Sequence, residues 1–303
     1  MSSSSDSSST APTPATLRAG VIGLGDIGRG LADSLQRAGV TLSVCDIREE
    51  ATAPYAETAH VATSPADLAR HSDVVLVSVI NDDQVRGVLR GENGVFAGAE
   101  GATGLTVVIV STIATATVTE LHAEGATHGV TIVDCGVSGG PSAAASGELV
   151  CMVGGTAEDV ERVRPILNAV SCLVLHMGPH GAGLSAKLAR NLVTYGSWLA
   201  ALEAQQLAEA AGIDLLKLGQ AIKESDKRIG GASTLMFRTT AKPWPADADA
   251  GMVGAMRAAA SLAHKDLEAA QELGRELGVP LPLADLTSEK CDDIFGLGIE
   301  ESP

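Results

Sequence analysis

The 303-residue sequence has few aromatic residues, few positive charges and no long apolar run. It contains 3 Phe, 2 Tyr and 2 Trp, so aromatic stacking is a weak basis for nucleic-acid binding. The net charge of −16 opposes contact with a phosphate backbone, and we expect no nucleic-acid partner. Because no apolar run reaches the roughly 18 residues of a membrane span, we expect a soluble protein with no membrane partner.

The five cysteines are odd in number and widely separated, and no two have the spacing of a CxxC pair. This pattern predicts neither a disulfide framework nor a zinc site, and we expect no bound metal. A reducing, cytoplasmic location is the simplest interpretation. Residues 1–18 are rich in Ser, Thr, Ala and Pro and lack the apolar core of a secretory signal, so we predict a disordered tail.

From residue 19 onward, short apolar segments alternate with amphipathic ones. The apolar segments are β-branched and bounded by Gly, Asp, Asn or Ser, and they predict strands at 21–22, 42–45, 74–80, 107–110, 130–133, 150–153 and 173–175. The intervening pattern predicts helices at 27–38, 65–70, 84–89, 117–128 and 157–170. Such alternation predicts α/β architecture: a doubly wound, Rossmann-type domain with a mainly parallel sheet over residues 19–178.

Beyond residue 178 the strand pattern stops. An Ala- and Leu-rich helical pattern covers 184–211, and further helical stretches follow near 215–223, 254–277 and 283–295. We therefore predict an all-α domain over 179–303 that is joined to the α/β domain by the long helix. A chain of this length is sufficient for two such domains.

A glycine-rich loop follows the first strand, where residues 23–28 read Gly-Leu-Gly-Asp-Ile-Gly and open an amphipathic helix. Glycines there let the backbone turn sharply and approach a pyrophosphate at a helix N-terminus. Asp46 ends the second strand, where its carboxylate can accept both hydroxyls of an adenosine ribose. That carboxylate repels a 2′-phosphate and favours NAD over NADP, although Arg48 could attract the phosphate.

Two further segments carry groups suited to a small carboxylate substrate. Residues 134–140 read Asp-Cys-Gly-Val-Ser-Gly-Gly, so Ser138 and the amides of the glycine pair could bind a carboxylate. Lys187 and Asn191 are four residues apart on one face of the long helix, near the predicted domain junction. The first segment alone does not exclude a plain glycine-rich connection between strands, and a lone lysine on a helix is usually a solvated charge.

Together these segments resemble the β-hydroxyacid dehydrogenase family, which includes 3-hydroxyisobutyrate dehydrogenase and 6-phosphogluconate dehydrogenase. The resemblance extends from residue 19 to about residue 295, with five motifs in the family's order. They are the loop 23–28, the strand end 111–113, the loop 137–140, the helix bearing Lys187 and Asn191, and the segment 265–267. The chain departs from the family at Cys135-Gly136 and at Ile27, and neither change removes a reacting group.

The resemblance implies an NAD-dependent oxidoreductase that transfers hydride from a small 3-hydroxy acid to a nicotinamide. By the same resemblance, Lys187 is the general base, Asn191 orients the substrate hydroxyl, and Ser138, Gly139 and Gly140 bind the carboxylate. A homodimer or homotetramer built through the helical domain is also implied. The expected cofactor contacts are Gly23, Leu24, Gly25, Asp26, Ile27, Gly28, Asp46, Arg48, Ile80, Asn81, Thr112 and Lys265.

Three other functions stay open. An NADPH-dependent reductase of a short semialdehyde acid, of the glyoxylate, succinic or tartronate semialdehyde type, would use the same groups in the reverse direction. Imine reductases share the architecture but generally carry a different residue at the position of Lys187. A catalytically silent NAD-binding regulator would have no chemical need for Ser138, Lys187 and Asn191 together.

Overall fold

The structure is a computed structural model of the chain, and it describes residues 17–100 and 104–298. The predicted tail, 1–18, lies outside the described residues except for Leu17 and Arg18, and Arg18 already belongs to the first strand. The chain divides into two compact units, of which the first ends at Ala189 and the second begins at Arg190.

The first unit is built on one eight-stranded sheet with the strand order β3-β2-β1-β4-β5-β6-β7-β8. Neighbouring strands are parallel except for β6 and β7, which are antiparallel. The prediction of a mainly parallel α/β sheet is therefore confirmed. The strands are β1 (Arg18–Ile22), β2 (Thr41–Cys45), β3 (His60–Val61), β4 (Val74–Val77), β5 (Thr106–Ile109), β6 (Thr131–Ser138), β7 (Leu149–Gly154) and β8 (Ser171–Gly178).

Helices cover both faces of this sheet. Successive strand residues point to opposite faces, so Leu76 packs into one apolar cluster and Val77 into the other. Both clusters consist mainly of Val, Leu, Ile and Ala, in keeping with the aromatic-poor composition. The helices are α1 (Asp26–Arg37), α2 (Glu49–Thr52), α3 (Pro65–Arg70), α4 (Asp82–Leu89), α5 (Val95–Gly98), α6 (Thr115–Thr127), α7 (Gly140–Ser146) and α8 (Ala157–Asn168), with a short 3-10 helix at Ala53–Tyr55.

The regular secondary structure of the second unit is entirely helical in its described residues, with a turn-rich segment at 230–249, which confirms the predicted all-α region. The long helix α9 begins in the first unit and continues into the second. Within the second unit, the buried carboxylate of Glu203 accepts hydrogen bonds from the backbone N–H groups of Leu283 and Ala284, which open a later helix. The helices are α9 (Ala182–Ala210), α10 (Leu215–Ile229), α11 (Ala250–Leu277), α12 (Pro282–Glu289) and α13 (Cys291–Ile294).

Several predicted elements differ from the structure for local physical reasons. Strand β3 was not predicted because it has only two residues. The strand predicted at 74–80 ends at Val77, since the Val79 N–H is bound by the Ser111 hydroxyl rather than by a strand, and Ile80 is 82% exposed. The single helix predicted at 283–295 is two helices. Within the described ranges, no helix has the length and apolarity needed to cross a bilayer.

Candidate active site

The loop between β1 and α1 owes its shape to glycines at two positions. Gly23 has a φ of +88°, a region that other residues rarely adopt, and its N–H donates to the Cys45 carbonyl at 2.9 Å. A Cβ on Gly28 would lie 1.8 Å from the Gly23 carbonyl oxygen, so only glycine fits there. These two glycines are required by the fold of the loop itself.

Gly25 is different, because the fold does not require a glycine there. Its φ of −69° suits any residue, and a Cβ would meet no protein atom within 4 Å. It precedes α1, whose first N–H groups receive no side-chain cap. An open approach to uncapped amides at a helix N-terminus fits the pyrophosphate of a dinucleotide. The residues present therefore fit the cofactor that the sequence implies.

Replacing Gly25 with Val is expected to weaken NADH binding about 5- to 150-fold while leaving the thermal unfolding midpoint near the wild-type value. The new side chain would fill the cofactor's space without touching protein, at an overpacking cost of about 1–3 kcal/mol. Titration calorimetry with NADH and thermal unfolding measure the two effects. Gly28→Ala is the matched control, and it should lower the unfolding midpoint. Unchanged NADH affinity in Gly25→Val would contradict the assignment of the loop.

Asp46 follows β2 and faces the same loop. Its Oδ2 accepts a hydrogen bond from the Leu24 N–H at 2.6 Å, and its Oδ1 accepts from the N–H of Arg48 at 2.9 Å and from its Nε at 3.1 Å. Partial burial raises the pKa of the Asp46 carboxyl, but hydrogen bonds from Arg48 and from the Leu24 N–H outweigh it and hold the pKa below its usual value. A negative charge is thus fixed beside the glycine-rich loop.

The remaining predicted cofactor residues of the first unit lie beyond the carboxyl ends of parallel strands, the edge where ligands bind in open α/β sheets. Ile80 and Asn81 follow β4, and Asn81 caps α4 by accepting from the Gln84 N–H. Thr112 follows β5 and is exposed. In the loop, Leu24 is buried, Asp26 is exposed in the first turn of α1, and Ile27 is partly buried.

Residues 134–138 form a strand rather than the loop that the sequence predicted. Strand β6 pairs with β5 through its first half and with β7 through its second half, from Asp134 opposite Gly154 to Ser138 opposite Val150. The glycine and polar residues of this segment resemble a loop locally, whereas the pairing with β7 makes it a strand. Because β6 continues to Ser138, every second residue from Asp134 onward faces the same side of the sheet.

Asp134, Gly136 and Ser138 share the face of β6 that carries helix α9. The buried Asp134 carboxylate accepts the N–H of Gly181 at 2.7 Å and that of Leu184 at 2.8 Å, and so holds the start of α9. A negative charge at a helix N-terminus also interacts favourably with the helix dipole. The intervening residues Cys135 and Val137 point into the opposite apolar cluster.

Glycines bring α9 into direct contact with the strand backbone. A Cβ on Gly136 would lie 2.6 Å from the Lys187 Cβ, and one on Gly183 would lie 2.4 Å from the Met152 carbonyl oxygen. A Cβ on Gly154 would lie 2.4 Å from the Asp134 carboxylate. Larger residues at these positions would push the helix away. Lys187, which is partly buried, is therefore fixed by its backbone against the second half of β6.

Ser138 lies two residues beyond Gly136 on the same face of β6. A strand advances about 7 Å over two residues, so Ser138 follows the Lys187 contact by about that distance. Gly139 and Gly140 come next, with φ values of +125° and +71°, and they turn the chain into α7. The structure thus brings Lys187, Ser138 and the glycine pair to one end of one strand.

The other two predicted site residues belong to the second unit. Asn191 is partly buried and lies one helical turn after Lys187 on α9, with its Oδ1 3.5 Å from Arg190 Nη1. Lys265 is exposed on α11, where its Nζ lies 3.3 Å from the Asp266 carboxylate.

Asp134 and two glycines, Gly136 and Gly154, position Lys187, although the local sequence pattern predicts no such role for them. The available signal was an aspartate inside an apolar strand pattern, followed two residues later by glycine. It was insufficient because the partners, Gly181 and Leu184, are about 50 residues away in the sequence.

Two family models together match almost the whole of this architecture. The model for the NAD binding domain of 6-phosphogluconate dehydrogenase matches residues 18–178. The model for the NAD-binding domain of NADP-dependent 3-hydroxyisobutyrate dehydrogenase matches residues 181–294. Both descriptions indicate a nicotinamide cofactor.

Individual proteins agree with the family models. The chain is 40% identical to an uncharacterized oxidoreductase of Mycobacterium tuberculosis over 94% of this chain and 95% of that protein. It is 33% identical to the NAD-dependent L-serine dehydrogenase of Pseudomonas aeruginosa, covering 88% of each. The crystal structure of an oxidoreductase from Mycobacterium avium matches with a TM-score of 0.85 and 39% identity, covering 93% of this chain and 100% of that one. The chain belongs to the β-hydroxyacid dehydrogenase family and is an NAD(P)-dependent dehydrogenase acting on a CH–OH group.

Proposed function

We propose that this dehydrogenase oxidises a small 3-hydroxy acid of the 3-hydroxyisobutyrate type, with NAD as the cofactor and Lys187 as the general base. The main support is the arrangement of residues on one face of β6. Lys187 packs against Gly136 there, and Ser138 lies about 7 Å further along the strand. A basic side chain and a carboxylate-binding loop at that separation suit a short substrate with a hydroxyl and a carboxylate. L-Serine, named for the Pseudomonas aeruginosa relative, is such an acid.

In this proposal, some residues bind and orient the substrate and another accepts its proton. Ser138 and the N–H groups of Gly139 and Gly140 bind the carboxylate, Asn191 orients the hydroxyl, and Lys187 Nζ accepts the hydroxyl proton. Bound nicotinamide supplies the acceptor for the hydride that leaves the same carbon. To accept the proton, Lys187 would act as the neutral amine, the form of lysine that serves as a general base.

The groups proposed to hold the cofactor are those at the carboxyl edge of the sheet. The uncapped N-terminus of α1 would bind the pyrophosphate, with Gly25 leaving room for it. Asp46 would accept the adenosine-ribose hydroxyls. Ile80, Asn81 and Thr112 would line the site from β4 and β5, and Lys265 would contribute from the helical domain.

Cofactor choice is proposed to depend on the charge of Asp46. Asp46→Asn keeps an oxygen for the Leu24 N–H but removes the charge that repels a 2′-phosphate, so we expect the NADP-to-NAD ratio of kcat/KM to rise about tenfold to a hundredfold. Initial rates with both cofactors measure this ratio. The double variant Asp46→Asn with Arg48→Ala is the control, and it should lose most of the gain. An unchanged ratio in Asp46→Asn would refute the proposed role.

The helical domain is also part of the proposal, as the domain that binds substrate and assembles the oligomer. We place the cofactor domain at 19–178 and the helical substrate and assembly domain at 179–303. A homodimer or homotetramer through the helical domain is supported by its exposed apolar side chains, which include Leu192, Trp198 and Leu216.

A reducing, cytoplasmic location is also part of the proposal. All five cysteines lie in the described residues as free thiols, which is compatible with that location.

A substrate panel tests the proposed reaction. NAD reduction by the purified protein is followed with 3-hydroxyisobutyrate, 3-hydroxypropionate, L-serine, glycerate and 4-hydroxybutyrate. We expect the highest kcat/KM among the 3-hydroxy acids and a lower value for 4-hydroxybutyrate, whose hydroxyl is one carbon further from the carboxylate. A preference for 4-hydroxybutyrate would contradict the proposed substrate class.

A further inference from the structure

A cluster of two histidines and an aspartate lies at the edge of the sheet, among residues that the dehydrogenase site does not use. His60 belongs to β3, the edge strand, while Asp67 lies in α3 and His71 directly follows that helix. One ligand atom from each of the three side chains lies within 4.8 Å of the others. No second group of three potential metal ligands this close occurs in residues 17–100 and 104–298.

Each histidine lies at a distance typical of two ligands of one metal ion from one of the two Asp67 carboxylate oxygens. His60 Nε2 lies 3.2 Å from Asp67 Oδ2, and His71 Nδ1 lies 3.5 Å from Asp67 Oδ1. Two ligand atoms bound at about 2.1 Å to a tetrahedral zinc ion are about 3.4 Å apart. The exposed imidazoles are able to rotate and shorten the remaining edge, between their two nitrogens.

The aspartate is already oriented and ionised for such a role. Its Oδ2 accepts the N–H of Thr63 at 3.0 Å and the Thr63 hydroxyl at 3.3 Å. The hydrogen bond from the Thr63 N–H holds the pKa of the Asp67 carboxyl below its usual value despite partial burial. The Ser64 hydroxyl caps α3 by accepting the Asp67 N–H, which fixes the turn that carries the carboxylate. Hydrogen bonds of this kind orient ligands in metal sites.

The two imidazole rings lie close enough together to bind one cation. Their ring centroids are 4.1 Å apart with an interplanar angle of 33°. In the absence of a cation, the His71 Nδ1 can donate to the Asp67 carbonyl oxygen at 2.9 Å. A metal ion bound through Nδ1 would replace this hydrogen bond, since the same nitrogen cannot donate a proton and bind a cation at once.

We propose that His60, Asp67 and His71 bind one first-row divalent cation of the type that imidazole favours, with Zn²⁺ as the representative ion and water completing the coordination. Two nitrogens and one carboxylate oxygen favour such an ion over Mg²⁺, which prefers an all-oxygen shell. The bound ion would cross-link the two-residue strand β3 to α3 at the edge of the sheet.

Titration calorimetry of the tag-free, full-length protein with ZnCl₂ and with MgCl₂ tests this site. Wild type should bind Zn²⁺ with one equivalent that Mg²⁺ does not reproduce. Because changes to outer-shell partners alone cost about 10- to 100-fold in metal affinity, loss of a ligand in His60→Ala or in His71→Ala should weaken this equivalent at least tenfold. Zn²⁺ should also raise the thermal unfolding midpoint of wild type but not of His60→Ala.

Two variants control for zinc bound elsewhere. His264→Ala removes an exposed histidine that pairs with a single carboxylate, that of Asp292. Cys172→Ser removes an exposed thiol. Both should retain the equivalent. The proposal is overturned if folded wild type binds no Zn²⁺, if the equivalent survives in both His60→Ala and His71→Ala, or if it disappears in Cys172→Ser.

Discussion

Replacing Lys187 with Met is expected to lower kcat about 10²- to 10⁴-fold while leaving the dissociation constant of NADH within about twofold of wild type. Methionine keeps the length and apolar packing of the side chain but cannot accept the hydroxyl proton, and general base catalysis contributes about that factor. The Lys187 backbone packs against Gly136 on β6, whereas the proposed pyrophosphate site is the loop 23–28, so we expect NADH binding to be unaffected. Steady-state rates with 3-hydroxyisobutyrate and NADH titration measure the two quantities.

Lys217→Met is the matched control for this experiment. Lys217 is an exposed lysine at the start of α10, and its loss should leave kcat unchanged. If Lys187→Met kept more than about a tenth of the wild-type kcat, its role as the base would be refuted. If both variants lost activity equally, the loss would reflect a general effect of removing a surface charge and would likewise refute the assignment.

Replacing Asp134 with Ala is expected to lower the free energy of unfolding by about 2–6 kcal/mol. Two buried backbone N–H groups, those of Gly181 and Leu184, would lose their acceptor, and each unsatisfied donor costs about 1–3 kcal/mol. Because these groups begin α9, the loss should also reduce kcat through displacement of Lys187. Urea unfolding monitored by circular dichroism measures the stability change.

Two further variants give this prediction its controls. Asp134→Asn keeps one acceptor oxygen and should cost less than Asp134→Ala. Asp83→Ala removes an aspartate whose side chain is 96% exposed and should change stability by no more than about 0.5 kcal/mol. A cost for Asp134→Ala as small as that for Asp83→Ala would contradict the role of Asp134 in holding α9.

The elements whose structure is determined by neighbouring residues in the sequence could be predicted from the sequence. The helix predicted at 65–70 agrees with α3 at both ends, because Ser64 is its N-cap and Pro65 its first residue. The loop 23–28 could likewise be recognised, since its glycine spacing is set by a turn of six residues. Asp46 was identifiable because it follows a clear strand.

The support for Lys187 could not be predicted, because it depends on distant segments meeting in space. Strand β6 extends to Ser138 only because β7 pairs with it, and residues 134–140 on their own resemble a glycine-rich loop. Gly136 appears from sequence to be a turn residue, whereas its role is to admit the Lys187 backbone. The His60, Asp67 and His71 cluster was missed for a similar reason, since a two-residue strand brings His60 to α3.

The most direct test of the proposed reaction compares two substrates that differ only in the carboxylate. The rate of NADH formation is measured with 3-hydroxyisobutyrate and with 2-methyl-1-propanol, in which a methyl group replaces the carboxylate. If Ser138, Gly139 and Gly140 bind the carboxylate beside Lys187, kcat/KM should be at least about tenfold to a hundredfold higher for the acid, as expected for hydrogen bonds to a charged group. Equal kcat/KM for the acid and the alcohol, or no NADH formation from the acid at saturating NAD, would contradict the proposed reaction.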